Sequence, residues 1–464
     1  MPAALTSSTD WAEEQFGSCA LGNLRRTRRL VRMGAALAEN PLGTLPGTFS
    51  RADELKAAYR FVENDRISRA QILAGHQTQT RQACHQAGDY LLVEDTTGLD
   101  YSGRAATGLG QIGNRRGQGL LVHSALAVRI EGWSRNLEPQ VRVVGLFGQH
   151  GWCQPQPTKA RHEKKRKRLS RPRESARWAA GVQETDGPPG GVRWTHVADR
   201  ESDVYEAFAR CRQRHVDFIV RAAQERALAQ EDRSMFAAVR AAPVLGRFTL
   251  DVRARPGQAA RCAEVEVRAR AVTLRGPWRP GGRAEDWAVH VVEAREVAPP
   301  AGVEPILWVL LSTWACSTFA EALRVVKAYA CRWLIEQFHK ALKSGTHVDD
   351  SQLETAARLE TLVGILSVVA TRLIELKLLA RVRPDEPVTP EHFGAEALAV
   401  LDQGIGRPAL GWTNATVLVG IARLGGFLAR KGDGPPGWQT IWRGFRRLML
   451  MVQGYELAQV QRCG

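Results

Sequence analysis

Apolar and polar positions follow two regimes along this chain. Toward both ends the apolar residues recur every three or four positions, which is the helical period. In the middle they alternate or run in short blocks, the habit of strands. Residues 1–75 are helical on this reading: a short helix with Asp10 and Glu13 as its capping box, a second over 24–40, and a third from Ser50 through ELKAAYRFVEN. In the second, Leu30, Met33 and Leu37 form a core stripe, while Arg25, Arg29 and Arg32 share a separate face suited to phosphate and groove contact. A solvated basic helix would show the same pattern.

Near residue 88 strands begin. Tyr90 to Val93 is an apolar strand with Asp95 at its C-terminal end; LLVHSALAVRI (120–130) and VRVVGLF (141–147) follow, and three strands with no helix between them predict an antiparallel meander. The glycines of GLGQIGNRRGQG (108–119) lack the strand–GxGxxG–helix order of a dinucleotide site. ESARWAAGVQE reads as helix, and GVRWTHVADRES (191–202) as a strand ending at Asp199. A helix over 203–213 and a strand over 215–223 complete a β-α-β unit, with Arg221 near its end. Residues 225–305 predict a β-rich insertion, 306–313 a buried strand holding Trp308, and the chain beyond 350 is helical. The final stretch, 437–460, is amphipathic and suits core closure or a dimer contact.

Residues 329–343, YACRWLIEQFHKALK, predict one amphipathic helix with Trp333, Leu334, Phe338 and Leu342 on its apolar side. Tyr329, Arg332, Glu336, Lys340 and Lys343 fall at three- and four-residue steps. One carboxylate among cations suits a phosphodiester handled through a metal; a solvated salt-bridge face has the same spacing.

Charge sharpens the picture. The 464 residues are 44% hydrophobic and 24% charged, as in globular proteins, but carry a net charge of +16, which favours a polyanionic partner, nucleic acid before anionic membrane. The densest cationic run, KARHEKKRKRLSRPRES (159–175), suits non-specific DNA contact. The longest apolar run, 361–370, is too short to span a bilayer and ends at Arg372, and Asp10, Glu13 and Glu14 argue against a signal peptide. Eight cysteines without a CxxC pair indicate neither zinc nor a disulfide framework and fit a reducing cytoplasm.

Asp95, Asp199 and Glu336 are thus candidate ligands. Three converging carboxylates need cations between them, and all-oxygen ligation fits Mg²⁺ or Mn²⁺ rather than zinc. Two such ions about 4 Å apart activate a nucleophile and steady the leaving oxygen in phosphodiester cleavage.

The spacing Y-x2-R-x3-E-x6-K of Tyr329, Arg332, Glu336 and Lys343, with DTTGLDY around Asp95 and VADRES around Asp199, resembles the DDE transposases of bacterial insertion sequences that bear a Tyr-Arg-Glu-Lys signature. ALGNLRRTRRLV and IARLGGFLARKG extend the likeness toward both ends. The resemblance implies an α/β fold with a ribonuclease-H-like catalytic core and a β-rich insertion (225–305) within 76–370. N-terminal (1–75) and C-terminal (371–464, dimerising) helical domains would flank it. It implies two Mg²⁺ ions, replaceable by Mn²⁺, on Asp95, Asp199 and Glu336, and nicking at the transposon end, hairpin formation, hairpin opening and strand transfer by a homodimer on paired ends. Tyr329, Arg332, Lys340, Lys343 and Arg221 would contact DNA near the cleaved end, Trp308 would stack on a flipped base, and Arg25, Arg26 and Arg29 would read the terminal repeat. Trp308 reads equally as core. The expected setting is a bacterial cytoplasm at the nucleoid, without membrane contact. A catalytically silent DNA-binding relative and a metal-dependent nuclease are the competing functions.

Overall fold

The computed structural model describes residues 7–41, 44–113, 117–154, 177–252, 259–279, 281–430 and 432–462. The cationic run at 159–175 lies outside them.

Five helices open the described chain: α1 (Ser8–Phe16), α2 (Leu24–Glu39), α3 (Leu45–Thr48), α4 (Ala52–Val62) and α5 (Arg69–Ala83). The cap of α1 is Ser7, whose hydroxyl accepts the Asp10 N–H, rather than a box built on Asp10 and Glu13. Asn23 caps α2, and Leu30, Met33 and Leu37 are buried as its periodicity predicts.

Twelve strands follow, of which ten form one mixed sheet. They are β1 (Gly88–Asp100), β2 (Gly110–Ile112), β3 (Gly117–Trp133), β4 (Pro139–Trp152), β5 (Val192–Ala198) and β6 (Asp217–Arg221). Then come β7 (Val244–Val252), β8 (Arg261–Leu274), β9 (Trp278–Arg279), β10 (Gly282–Arg283), β11 (Trp287–Glu296) and β12 (Leu307–Ser312). The order β2-β3-β1-β5-β6-β12-β11-β8-β7, with β4 also on β3, places β1, β5 and β6 centrally, and β5 runs parallel to both neighbours. Their C-terminal ends therefore share one edge. The meander β1–β3–β4 and the parallel β5–β6 unit match the sequence patterns. Gly119 has a specific purpose: a Cβ there would fall 1.9 Å from the Leu99 carbonyl oxygen, so only glycine lets β3 lie against β1.

The segment 225–305 does not form a separate body. Its strands β7, β8 and β11 prolong the central sheet through β12. Three short helices cover one sheet face: α6 (Ala180–Gln183), α7 (Tyr205–Gln213) and α8 (Met235–Arg240). The other face packs on the N-terminal helices, α9 (Phe319–Ala330), α10 (Trp333–Lys340) and the long α11 (Ala356–Val382). Of the helix expected over 174–184, the described part, 177–184, forms only α6, preceded by Ala179 in the left-handed region.

Helix α11 is buried nearly all round, and each of its enclosed Leu, Ile and Val side chains contributes about 1.5–3 kcal/mol. Arg372, in its middle, donates to Ser8 Oγ at 3.2 Å and lies over Trp11, tying the first helix to the last third of the chain. Helices α5 and α11 run without a break through residues 75–76 and 370–371. Beyond them stand α12 (Pro390–Phe393), α13 (Ala395–Gly404), α14 (Asn414–Leu424) and α15 (Trp438–Arg462). No described helix is long and apolar enough to cross a membrane.

Candidate active site

Local structure departs from the sequence reading at two of the three acids. Asp95 stands in the middle of β1, opposite Ser124, because pairing with β3 continues to Asp100 instead of ending at the apolar block. The stretch 329–343 is not one helix. Tyr329 belongs to α9, the chain turns at Cys331–Arg332, Glu336 lies on α10, and Ala341–Gly345 closes as a π-turn carrying Lys343. Asp199 is placed as the sequence predicts: one residue beyond β5, where it caps a 3-10 turn (Arg200–Ser202) by accepting the Glu201 N–H at 2.9 Å.

The three carboxylates nonetheless share a field. The Asp95 carboxyl is pushed up to about 6 by burial, against the Thr96 N–H and Arg332, and Asp199 and Glu336 push it further up. Arg332 is the counter-ion: its guanidinium stands 3.5 Å from Asp95 Oδ2 and pairs tightly with Glu336. Burial opposes its charge, but Glu336, Tyr329 and Asp95 raise its pKa.

Beside the acids lies a cationic and aromatic wall. The buried Tyr329 phenol is raised by burial, opposed by Arg332 and Arg221, and feels Asp199. Arg221, at the end of β6, donates to the Leu307 carbonyl at 2.9 Å, and burial lowers its pKa. Trp308 is half-buried and meets Tyr329 edge-on, ring centroids 5.4 Å apart. Asp95, Asp199, Glu336, Tyr329, Arg332, Arg221 and Trp308 are therefore neighbours in one candidate site.

Lys340 is exposed on α10, and Lys343 faces another pair of acids, Asp100 and Asp349. Burial pushes Asp349 up to about 6, and Lys343 opposes the rise. Sequence spacing missed Asp349, because the π-turn and the left-handed His347 bring it back toward Lys343. On α2, Arg25 is exposed and Arg29 half-buried, whereas Arg26 donates to the Leu21 carbonyl at 3.1 Å.

A hard divalent cation suits this donor set. Oxygen is the sole donor element, and Asp95 and Glu336 share one guanidinium, that of Arg332. Among the described residues no three acidic, His or Cys side chains stand close enough to enclose an ion, and Arg332 lies between Asp95 and Glu336, pairing with both.

Three family models match the chain in order: transposase DNA-binding over residues 8–67, transposase DDE domain over 195–371, and transposase Tn5 dimerisation domain over 369–462. The chain carries the domains of a DNA transposase. The first match covers α1 to α4, including the arginine-bearing helix. The DDE match includes Asp199, Glu336 and the wall around them, and implies a ribonuclease-H-like core and nuclease-type chemistry with divalent metal. The third, over the C-terminal helices, supports dimer formation by this transposase.

Proposed function

We propose that this transposase works by cut and paste, in the Tyr-Arg-Glu-Lys subgroup. It would nick at the transposon end, form and open a hairpin, and transfer the freed strand to target duplex. The observation that carries this reading is that Asp95 and Glu336 share Arg332 while Asp199 acts on Asp95, beside a tyrosine, a second arginine and a tryptophan. A plain nuclease needs the acids; pairing of two DNA ends also needs the terminal modules that flank them.

Each residue has a distinct part. Asp95, Asp199 and Glu336 would hold Mg²⁺, for which Mn²⁺ substitutes. The bound metal would lower the pKa of the attacking hydroxyl or water and neutralise charge on the leaving oxygen. Arg332 keeps the acids from repelling one another in the free protein and turns to phosphate when DNA arrives, as a guanidinium fork favours. Tyr329, Arg221, Lys340 and Lys343 bind phosphates near the cleaved end. Trp308 offers a ring face to an extruded base, a contact that offsets the few kcal/mol of unstacking. Arg25, Arg26 and Arg29 position the terminal repeat in the groove. Residues 1–75, 76–370 and 371–464 then act as reader, catalyst and dimerising module of a synaptic complex.

The test is a gel assay of duplex from the end of the encoding element, with wild type and Glu336→Ala, with and without Mg²⁺. Metal-dependent nicks and hairpins from the wild type alone support the proposal, with end binding equal in both proteins. Trp308→Ala should nick but accumulate no hairpin. Binding without cleavage by the wild type in either condition would instead make it a regulatory DNA-binding relative.

A further inference from the structure

Side chains alternate across a strand, so Glu94 points to the opposite face of the sheet from its neighbour Asp95. That face is core: Glu94 is 1% exposed, with His123, His196 and Ser202 buried around it. A buried carboxylate is costly unless partnered, and this one is partnered from three directions. His123 Nε2 lies 3.1 Å from Oε2, and the Ala179 N–H donates to the same oxygen at 3.1 Å. His196 Nδ1 stands 3.3 Å from Oε1, within charge-pairing range though not aligned as a hydrogen bond. Ala179 takes φ 57° to present that N–H, a conformation uncommon for a residue with a side chain, and Trp178 packs edge-on against His123 at 4.8 Å.

Both imidazoles reach onward. The other nitrogen of His123 bonds Thr96 Oγ1 at 2.9 Å, and that of His196 bonds Ser202 Oγ at 2.9 Å. Thr96 follows Asp95 and gives it a backbone N–H at 2.8 Å; Ser202 closes the turn that Asp199 caps. A continuous chain, Thr96–His123–Glu94–His196–Ser202, thus runs behind the sheet from one acid's segment to the other's. Hydrogen bonds join Thr96 to His123, His123 to Glu94 and His196 to Ser202, and the remaining link, His196 to Glu94, is a contact at charge-pairing distance.

We propose that Glu94, His123 and His196 are positioning residues that set the separation of Asp95 and Asp199 from the far side of the sheet. The inference rests on the reading of those two acids as metal-holding. Outer partners of ligating carboxylates carry about 10–100-fold in metal affinity or activity.

The test uses the full chain, Mn²⁺ binding followed by electron paramagnetic resonance, thermal melting, duplex binding, and nicking of supercoiled plasmid. Glu94→Gln keeps the shape of the carboxylate but changes its proton inventory. Thr96→Val removes the far hydroxyl isosterically, and Thr96→Ser restores it. The expected result is Mn²⁺ affinity weakened about 10–100-fold in Glu94→Gln and Thr96→Val, with nicking at limiting metal reduced in proportion. Duplex binding should stay at the wild-type level and Thr96→Ser should recover both readouts. If Thr96→Val and a folded Glu94→Gln bind Mn²⁺ and nick as the wild type does, while Asp95→Ala loses both, the positioning chain is overturned and the site reading stands. If Asp95→Ala also binds Mn²⁺ and nicks normally, the site reading falls and takes the inference with it. Should Glu94→Gln fail to fold, the Thr96 pair decides alone.

Discussion

In the β7–β8–β11 half of the sheet, three carboxylates stand among three arginines. Glu296 accepts Arg261 in a two-pronged pair at 3.1 and 2.7 Å, Glu266 is clasped by Arg268, and Glu293 stands 3.5 Å from Arg240 and 3.8 Å from Arg268. In the β1–β5 half, Asp95 and Glu336 share the single guanidinium of Arg332, and Asp199 adds to the same field. The first arrangement holds strands together. The second leaves negative charge over, which favours an incoming cation. Matching in space exposes this difference, and a perturbed carboxylate with a specific charge partner is a functional candidate for that reason.

Removing acids from the two halves should have opposite consequences. Asp199→Ala should lower single-turnover nicking by about 4 kcal/mol, a thousandfold, while the melting temperature holds or rises. Nicking within tenfold of wild type would break the comparison. Glu296→Ala should instead cost about 3 kcal/mol of stability, read by denaturant melting, because it strands a mostly buried Arg261. Folded Glu296→Ala protein should still nick.

The helical cover can be loosened separately from either half. His76 on α5 accepts the Leu146 N–H at 2.9 Å through Nε2 and contacts Gln15 through Nδ1, and burial pushes its pKa down to about 4. The native state therefore resists a proton that the unfolded chain accepts below about 6.5, so this contribution is intact above pH 6.5 and is lost as pH falls toward 4. Melting temperature should drop across that window, and His76→Gln should flatten the drop; an equally steep fall in the variant would exclude His76 as its source. The smallest effect concerns α2: replacing Arg25 and Arg29 with Ala should weaken duplex binding and reduce the salt slope by about 2, measured by titration at several ionic strengths. An unchanged slope would place the phosphate contacts elsewhere.

Much of this was legible in the chain. Period-two runs marked β3 to β6, and Asp199 after an apolar strand landed where the pattern put it. The sheet order was not legible, because pairing of β12 between β6 and β11 depends on contacts far apart in sequence. The apolar block ended the expected strand near Asp95, yet DTTGLD stays extended because β3 offers partners as far as Gly119. Nor did YACRWLIEQ signal a break: its residues form helices readily, and tertiary packing decides. Cys331 is buried with its thiol on the Lys327 carbonyl, and Trp333 packs beneath Arg381 at 4.6 Å. The Glu94 chain left only one trace, a carboxylate and two histidines inside otherwise apolar strands.

Thermal melting of metal-free wild type and Asp95→Asn, repeated with saturating Mn²⁺, tests the surplus charge most directly. Asp95→Asn should melt above the wild type without metal. Mn²⁺ should raise the wild type by about 2.7 kcal/mol at a hundredfold excess over Kd and leave the variant where it was. An Asp95→Asn protein that melts lower than the wild type, with both responding equally to Mn²⁺, would contradict the account.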